Sequence, residues 1–427
     1  MNFLPEGMDD AGYYSGSESA LKENCFVIRQ GETIRVFRGE TGDEEWQPFD
    51  CTNPKQINDS RICGTTLAVL DNDNHLYAYD LKTGTDLWQA DLSTIEIEGP
   101  YSIRGVSEKN TYLFLRGNSS PYYIRVTLAD GTCEAVSILD HENLTGAGQW
   151  AFDDHYGTVS GNYIFYRASN YDRKRSFWFR YSMEDGSLTH VGMPYYTDSS
   201  KTDKSAHVFT EDGTKGMITE KGIGYLADFE KGTMTQYEDP FPDATNGAVS
   251  ADGKMFAFWG NEERILRVYS SDGKKIWEVS DLTEEYIDRI WFDRGDLFAA
   301  AESKNLYRYR AQDGTPYSVL TTSFMINPAA SGSRGFIDAG SGNLIIDCGS
   351  GELLMLDPDN WAVTGEAAGT LGYCEETGQI ISAAAGTLEP ILGACPCYSP
   401  QQLIEKGRRY AGNHSLTDEQ RARYGLN

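Results

Sequence analysis

The strongest constraint on this chain is a hairpin unit that recurs along most of its length. In each clear copy, a strand with alternating apolar residues leads into a tight turn that ends in glycine, and a second strand carrying a tryptophan follows. The clearest copies are residues 33–50 with Gly42 and Trp46, residues 75–92 with Gly84 and Trp88, and residues 265–282 with Gly273 and Trp277. A repeat of this kind predicts one supersecondary unit stacked many times.

Weaker copies keep the strand, the turn and the second strand but lose the tryptophan. Their turn residues are Gly131, Gly186, Gly232, Gly314 and Asn360. Asparagine is expected to replace glycine at the last turn because it tolerates positive φ. The turns follow one another at intervals of about 45 residues, which is the length of a β-propeller blade.

The repeat therefore predicts an all-β chain folded as a β-propeller with four-stranded antiparallel blades. The eight turns predict eight blades, and seven stays open because the first unit is weak and one interval is long. A content of 44 glycines and 12% aromatic residues favours strands and tight turns. We expect the C-terminal strands near residues 371–386 to pair with the N-terminal strands 25–30 and 33–38, because closure removes exposed sheet edges.

Two families of propeller resemble these repeats. The segment LYAYDLKTGTDLWQ resembles the repeat of quinoprotein-like propellers, and GAVSADGKMFAFWG and RVYSSDGKKIWEV resemble WD40 blades. The resemblance implies a propeller over residues 22–397, preceded by a flexible segment at 1–21, and it does not determine an activity. Quinone-dependent enzymes on such propellers hold a vicinal Cys-Cys pair over the cofactor, which this sequence lacks, so we expect no cofactor.

Residues 398–427 depart from the strand pattern and resemble the helical tail of many bacterial WD40-type proteins. Ser399 and Pro400 predict the start of one helix, and Thr417 and Gln420 form the capping box of a second. In such families the propeller often follows an effector module in the same polypeptide. The resemblance implies a sensing or scaffolding propeller.

Charge and hydropathy exclude several kinds of partner. The chain has 64 acidic and 37 basic residues, a net charge of −27, so a nucleic-acid backbone or an anionic membrane would be repelled. No stretch is long and apolar enough for a membrane span, and the N-terminal residues lack the features of a secretory signal. We expect a cytoplasmic protein with reduced cysteines, or an extracytoplasmic one if an upstream signal belongs to the chain.

Motifs for catalysis and metal binding are weak. The six histidines show no H-E-x-x-H spacing, and no G-x-S-x-G or P-loop signature is present. The run from Asp71 to His75 imitates the start of a calcium loop but lacks its later glycine and glutamate, which favours a polar turn. We therefore predict no metal site and no catalytic residue.

Binding residues are expected in the connections between blades, since loops on a rigid scaffold often carry function. The candidates are aromatic or acidic residues in these connections: Trp150, Asp153, Asp154, Tyr195, Tyr196, Phe241, Tyr286 and Phe324. Aromatic residues of this kind are enriched at protein interfaces.

The leading hypothesis is a non-catalytic platform that binds a protein or peptide. One alternative is a glycan-active hydrolase or lyase that uses carboxylates such as Asp153 and Asp154 at the channel mouth. The other is an assembly scaffold of the cell envelope, a role that quinoprotein-like repeats also serve.

Overall fold

A succession of short antiparallel strands makes up the chain in the computed structural model. The structure describes residues 25–30, 33–38 and 57–396, apart from intervening segments of which 138–149, 195–204 and 327–335 are the longest. The only helical element in these ranges is a 3₁₀ turn at Leu92–Thr94. The predicted N-terminal segment 1–21 and the predicted helical tail 398–427 lie outside the described residues.

The strands group into one hairpin, seven sheets that follow a four-strand path, and one three-stranded sheet. The hairpin consists of β1 (Cys25–Gln30) and β2 (Thr33–Arg38). Blade 1 consists of β3 (Ile57–Cys63), β4 (Thr66–Asp71), β5 (His75–Asp80) and β6 (Asp86–Asp91). Blade 2 consists of β7 (Tyr101–Val106), β8 (Tyr112–Gly117), β9 (Tyr122–Thr127) and β10 (Cys133–Ser137). Blade 3 consists of β11 (Trp150–Phe152), β12 (Thr158–Ser160), β13 (Tyr163–Asn170), β14 (Arg175–Ser182) and β15 (Leu188–Pro194).

The remaining sheets repeat this order. Blade 4 consists of β16 (Ser205–Phe209), β17 (Lys215–Glu220), β18 (Ile223–Asp228) and β19 (Thr233–Gln236). Blade 5 consists of β20 (Ala244–Val249), β21 (Met255–Gly260), β22 (Ile265–Ser270) and β23 (Lys275–Val279). Blade 6 consists of β24 (Ile287–Asp293), β25 (Asp296–Ala301), β26 (Asn305–Arg310) and β27 (Leu320–Thr321). Blade 7 consists of β28 (Ile337–Asp338), β29 (Leu344–Gly349), β30 (Glu352–Leu356) and β31 (Val363–Ala367). The last sheet consists of β32 (Thr370–Cys374), β33 (Gln379–Ala383) and β34 (Leu392–Pro396).

The prediction of four-stranded antiparallel blades is confirmed, and their number matches the alternative of seven. The second to eighth sequence copies correspond to blades 1–7. The first copy contributes β2, which pairs with β1 in the N-terminal hairpin.

The expected pairing between the two ends of the chain is wrong for the strands that the structure describes. The strands β1, β2, β32 and β33 form where they were predicted, but β1 pairs with β2, and β33 pairs with β32 and β34. The strand β34, which the sequence pattern does not predict, occupies the second edge of β33. Because a strand has only two hydrogen-bonding edges, β33 has no edge left for an N-terminal strand.

The core lies between blades. The second strand of a blade is buried on both faces, as in β4, β8, β17 and β21, where every residue after the first is buried. Successive side chains along such a strand point to opposite faces and join different clusters. Leu113 and Leu115 therefore pack against blade 1, while Phe114 packs against blade 3. The outer strand β6, in contrast, alternates between exposed and partly buried residues. Each blade is therefore stabilised mainly by its neighbours.

The hairpin turns use the predicted glycines, apart from the first copy, whose Gly42 lies outside the described residues. The six described turn glycines have positive φ: Gly84, Gly131, Gly186, Gly232, Gly273 and Gly314. This region of φ is accessible to glycine at little cost because it has no Cβ.

At the last turn, the assignment of Asn360 to the positive-φ position is wrong. Trp361 has φ of 62°, and its N–H donates to the Asp357 carbonyl at 2.8 Å, as the N–H of Gly84 donates to the Asp80 carbonyl. The positive-φ residue thus lies four residues after the aspartate whose carbonyl accepts its N–H in both turns. Asn360 instead donates through its side chain to the Asp357 carboxylate at 3.1 Å.

Tryptophan and glycine of the repeat meet across blade boundaries. The Trp88 indole N–H donates to the Leu128 carbonyl of blade 2 at 2.8 Å, and Trp277 bonds the Ala311 carbonyl of blade 6 at the same distance. A Cβ added to Gly131 would lie 2.6 Å from the Trp88 ring. The turn glycine is therefore required both by its φ and by the tryptophan of the preceding blade.

Candidate interaction surface

The structure places two of the predicted binding residues on one surface. Tyr286 and Phe324 lie in the connections that enter and leave blade 6. Trp150 begins β11, and the structure describes its backbone only. The other candidates lie outside the described residues: Asp153, Asp154, Tyr195, Tyr196 and Phe241.

A single turn organises the surface around Tyr286 and Phe324. It joins β25 to β26, and Lys304 within it has φ of 68° and donates its N–H to the Ala301 carbonyl at 3.0 Å. The connection entering blade 6 is fixed to this turn because the Glu302 N–H donates to the Tyr286 carbonyl at 3.0 Å.

The connection leaving blade 6 is fixed to the same turn. The Thr322 N–H donates to the Lys304 carbonyl at 2.9 Å, and the Thr322 hydroxyl lies 2.7 Å from the Phe324 carbonyl. The Lys304 ammonium donates to the Ser323 carbonyl at 2.8 Å. The backbone on both sides of the turn is therefore held in place, which lowers the entropic cost of binding at this surface.

Large apolar side chains remain exposed on this anchored backbone. Tyr286 is 53% exposed and Met325 is 44% exposed. Phe324 is partly buried against the core cluster between blades 6 and 7. The Arg264 guanidinium lies 5.8 Å from the centre of the Tyr286 ring. We name Arg264, Tyr286, Lys304, Phe324 and Met325 the blade-6 surface.

Sequence reasoning missed three of these five residues. Arg264 and Lys304 lie in turns between second and third strands, where the sequence carries no interface signal, and both have positive φ. Met325 directly follows the predicted Phe324, so the pair of apolar residues in a connection was the available signal.

Titratable groups near this surface are perturbed by burial. Burial raises the pKa of Asp288 above its usual value, and the negative charge of Glu302 acts in the same direction. Burial lowers the pKa of Arg289 below its usual value.

Residues of the types that serve in metal or redox chemistry have ordinary structural roles here. The run from Asp71 to His75 is the turn between β4 and β5, in which the buried Asp71 carboxylate accepts the His75 N–H at 2.7 Å and the Tyr77 hydroxyl at 3.2 Å. Across the described ranges no group of three or more His, Cys, Asp or Glu side chains could hold a metal ion. Burial raises the pKa of the Cys63 thiol to about 12, which disfavours the reactive thiolate.

Comparisons with known proteins agree with this architecture. The family model described as outer membrane protein assembly factor BamB matches residues 18–126. The structure of a eukaryotic initiation factor is 10% identical with a TM-score of 0.52, covering 81% of this chain and 86% of that chain. The chain is a β-propeller, and its residues 18–126 resemble the assembly-factor family. The likeness to the initiation factor extends to the fold of this propeller alone.

Two other solved structures resemble the propeller at lower TM-scores. BamB from Moraxella catarrhalis is 11% identical with a TM-score of 0.44, covering 79% of this chain and 92% of that chain. Dihydro-heme d1 dehydrogenase NirN is 12% identical with a TM-score of 0.47, covering 85% of this chain and 75% of that chain. No curated protein matches the chain by sequence. No helix in the described part of the propeller is long and apolar enough to cross a membrane.

Proposed function

We propose that this propeller is a non-catalytic scaffold that binds a protein partner through the blade-6 surface. The observation that carries the proposal is the exposure of Tyr286 and Met325 on connections whose backbone is fixed to one turn. Tyr286, which lies beside Arg264, and Met325 are of the aromatic and methionine types enriched at protein interfaces. The match of residues 18–126 to an assembly-factor family model supports a scaffold role.

The glycan-active alternative has no support from the described residues. Its carboxylates, Asp153 and Asp154, lie outside them. We therefore place the protein-binding function first.

The experiment is site-specific photo-cross-linking in the cells from which the protein comes. A photoactivatable phenylalanine analogue is placed at position 286 or 325, and in a matched control at position 87, where Leu87 is 47% exposed on the outer strand of blade 1. We expect positions 286 and 325 to give the same discrete adduct and position 87 to give none.

A double variant of the blade-6 surface makes the result quantitative. Exchanging Tyr286→Ser together with Met325→Ser, and monitoring cross-linking from a probe at position 324, is expected to reduce the adduct at least about tenfold. Equal adduct yields from the probes at positions 286, 325 and 87 would contradict the proposal. An adduct from position 324 that the double exchange leaves unchanged would contradict it as well.

A further inference from the structure

The first strands of the blades are the innermost strands of the propeller. First strands of consecutive blades bond directly to one another: the Asn58 amide of β3 donates to the Tyr101 carbonyl of β7 at 2.9 Å. The same contact recurs between Asn246 of β20 and the Ile287 carbonyl of β24 at 3.0 Å. In a propeller these strands surround the central axis.

Three arginines occupy these inner strands. Arg61 is in β3, Arg104 is in β7 and Arg289 is in β24. Arg104 is exposed, and the other two are partly exposed. The other strands of a blade cover the outer edge of its inner strand, and the neighbouring blades cover its two faces. We therefore infer that the exposed parts of these arginines face the axis.

The strand registers place the three arginines at similar positions within their blades. Arg61 lies opposite Ala68, the third residue of β4, and Arg289 lies opposite Ala300, the fifth residue of β25. Arg104 occupies a bulge opposite the third and fourth residues of β8. Counted from the start of the second strand of each blade, the three positions differ by at most two residues, which is about 7 Å of strand length.

No carboxylate among the described residues forms an ion pair with these arginines. Elsewhere the propeller pairs its cations closely, as in the ion pairs of Arg125 with Glu134 at 2.6 Å and Lys231 with Asp228 at 2.7 Å. Arg61, Arg104 and Arg289 form no such pair within the ranges that the structure describes. The Nε of Arg61 is buried and has no hydrogen-bond acceptor there.

Asp59, a carboxylate on which Arg61 and Arg104 act electrostatically, has its oxygens engaged by the backbone. The Asp59 carboxylate accepts the N–H groups of Ser60 and Ile103, each at 2.8 Å. Burial raises the pKa of Asp59, against those hydrogen bonds and the positive charges of Arg61 and Arg104. Asp59 therefore joins the inner strands of blades 1 and 2 and leaves both guanidinium groups available.

We propose that Arg61, Arg104 and Arg289 form an axial binding site for an oxyanion, the carboxylate or phosphate group of a small molecule. Guanidinium groups bind both kinds of oxyanion through paired, charge-assisted hydrogen bonds. Uncompensated arginines are unusual in a protein of net charge −27, where acidic side chains outnumber basic ones. A bound oxyanion would supply acceptors that the described residues do not offer these arginines.

Calorimetric titration of the purified full-length chain tests this site. Inorganic phosphate and citrate are titrated separately, at an ionic strength held constant with sodium chloride. We expect one or both to bind, and the stronger ligand identifies phosphate or carboxylate chemistry. If neither phosphate nor citrate gives a heat of binding larger than that of chloride, the proposal is overturned.

Variants locate the site. Arg104→Gln, at an exposed position, is expected to weaken the binding about tenfold or more, and Arg104→Lys to preserve most of it because the charge is kept. Arg175→Gln is the matched control, because Arg175 is an exposed arginine of the third strand of blade 3. An equal loss in Arg104→Gln and Arg175→Gln would show that the binding is not axial and would overturn the assignment.

Discussion

The boundary between blades 1 and 2 and the boundary between blades 3 and 4 share one topology and use opposite chemistry. At the first, the Trp88 ring packs on Gly131 and donates one hydrogen bond to the Leu128 carbonyl. At the second, Arg167 of β13 and Glu220 of β17 form an ion pair of 2.8 Å, with the Glu220 side chain 5% exposed.

The difference shows that a propeller boundary requires filled volume and satisfied polar groups but no particular residue. The Arg167 Nε also donates to the Ser176 hydroxyl at 3.1 Å, and that hydroxyl lies 2.9 Å from the hydroxyl of Ser169. A buried pair of this kind depends on both partners, because removal of one leaves an uncompensated charge. We expect the polar boundary to be the more vulnerable of the two.

The largest effect is expected from Glu220→Ala, which leaves Arg167 buried without its carboxylate. The free energy of unfolding should fall by about 3–5 kcal/mol, measured by urea denaturation. The control is Glu278→Ala, since Glu278 is 43% exposed in its ion pair with Arg267, and its loss should cost less than about 1 kcal/mol. Equal losses in the two variants would contradict the special dependence of the polar boundary on its buried ion pair.

The next effect concerns the tryptophan boundary. Gly131→Ala should destabilise the propeller by about 3 kcal/mol, because the residue has φ of 74° and the added Cβ would lie 2.6 Å from the Trp88 ring. Gly295→Ala is the control: its φ is 82°, but nothing lies within 4 Å of the added Cβ, so backbone strain alone should cost about 1–2 kcal/mol. Thermal unfolding compares the two, and a Gly295→Ala variant at least as destabilised as Gly131→Ala would refute the role of the indole contact.

Lowering the pH is expected to destabilise the boundary between blades 3 and 4 through His207. His207 packs against Trp178 at a ring distance of 5.0 Å, and burial lowers the pKa of His207 from 6.5 to about 4. The unfolded chain therefore binds more protons between these two pH values, so stability falls as the pH falls through this window, by about 2 kcal/mol between pH ~7 and ~5.

The variant His207→Gln isolates this contribution. It should lose about 2 kcal/mol less than the natural chain over the same pH range, measured by urea denaturation at each pH. Asp252 and Asp272, whose pKa values hydrogen bonds lower to about 2, affect stability only at lower pH, below their usual pKa of 3.8. An unchanged pH profile in His207→Gln would contradict the assignment.

The smallest effect is the loss of one indole hydrogen bond. Trp277→Phe keeps a ring over blade 6 but removes the donor to the Ala311 carbonyl, and should cost about 1–1.5 kcal/mol beyond the change in ring size. Trp88→Phe should give a similar loss, because its bond to Leu128 has the same length. Stability unchanged in both variants, measured by thermal unfolding, would show that the indole bonds add nothing to the boundary.

Local features of the sequence predicted much of the fold. A hairpin turn is stabilised by residues within about five positions of one another, so the alternating strands, the glycines from Gly84 to Gly314 and the four-stranded units were all accessible. The error at Asn360 was one position, and its cause is tertiary: the Trp361 ring packs on Phe298 and on the Arg308 guanidinium, which lies 4.0 Å from the ring centre.

The candidate surface was predicted only in part. Tyr286 and Phe324 were found because aromatic residues in connections are an interface signal, but their common attachment to the turn at Lys304 depends on hydrogen bonds between segments far apart in sequence. The inner-strand arginines carry no local signal at all. That no described carboxylate forms an ion pair with them becomes visible only when neighbouring strands are placed around them.

The sequence by itself determined the repeating unit, its strands and its turns, because those depend on interactions along a few consecutive residues. Only the tertiary structure decided which unit meets which: that Trp88 covers Gly131, that Arg167 pairs with Glu220, and that seven units complete four-stranded sheets. These contacts join residues about one repeat apart, and their energies come from burial and from electrostatics between blades. The propeller therefore repeats its topology while each boundary is stabilised by its own side chains.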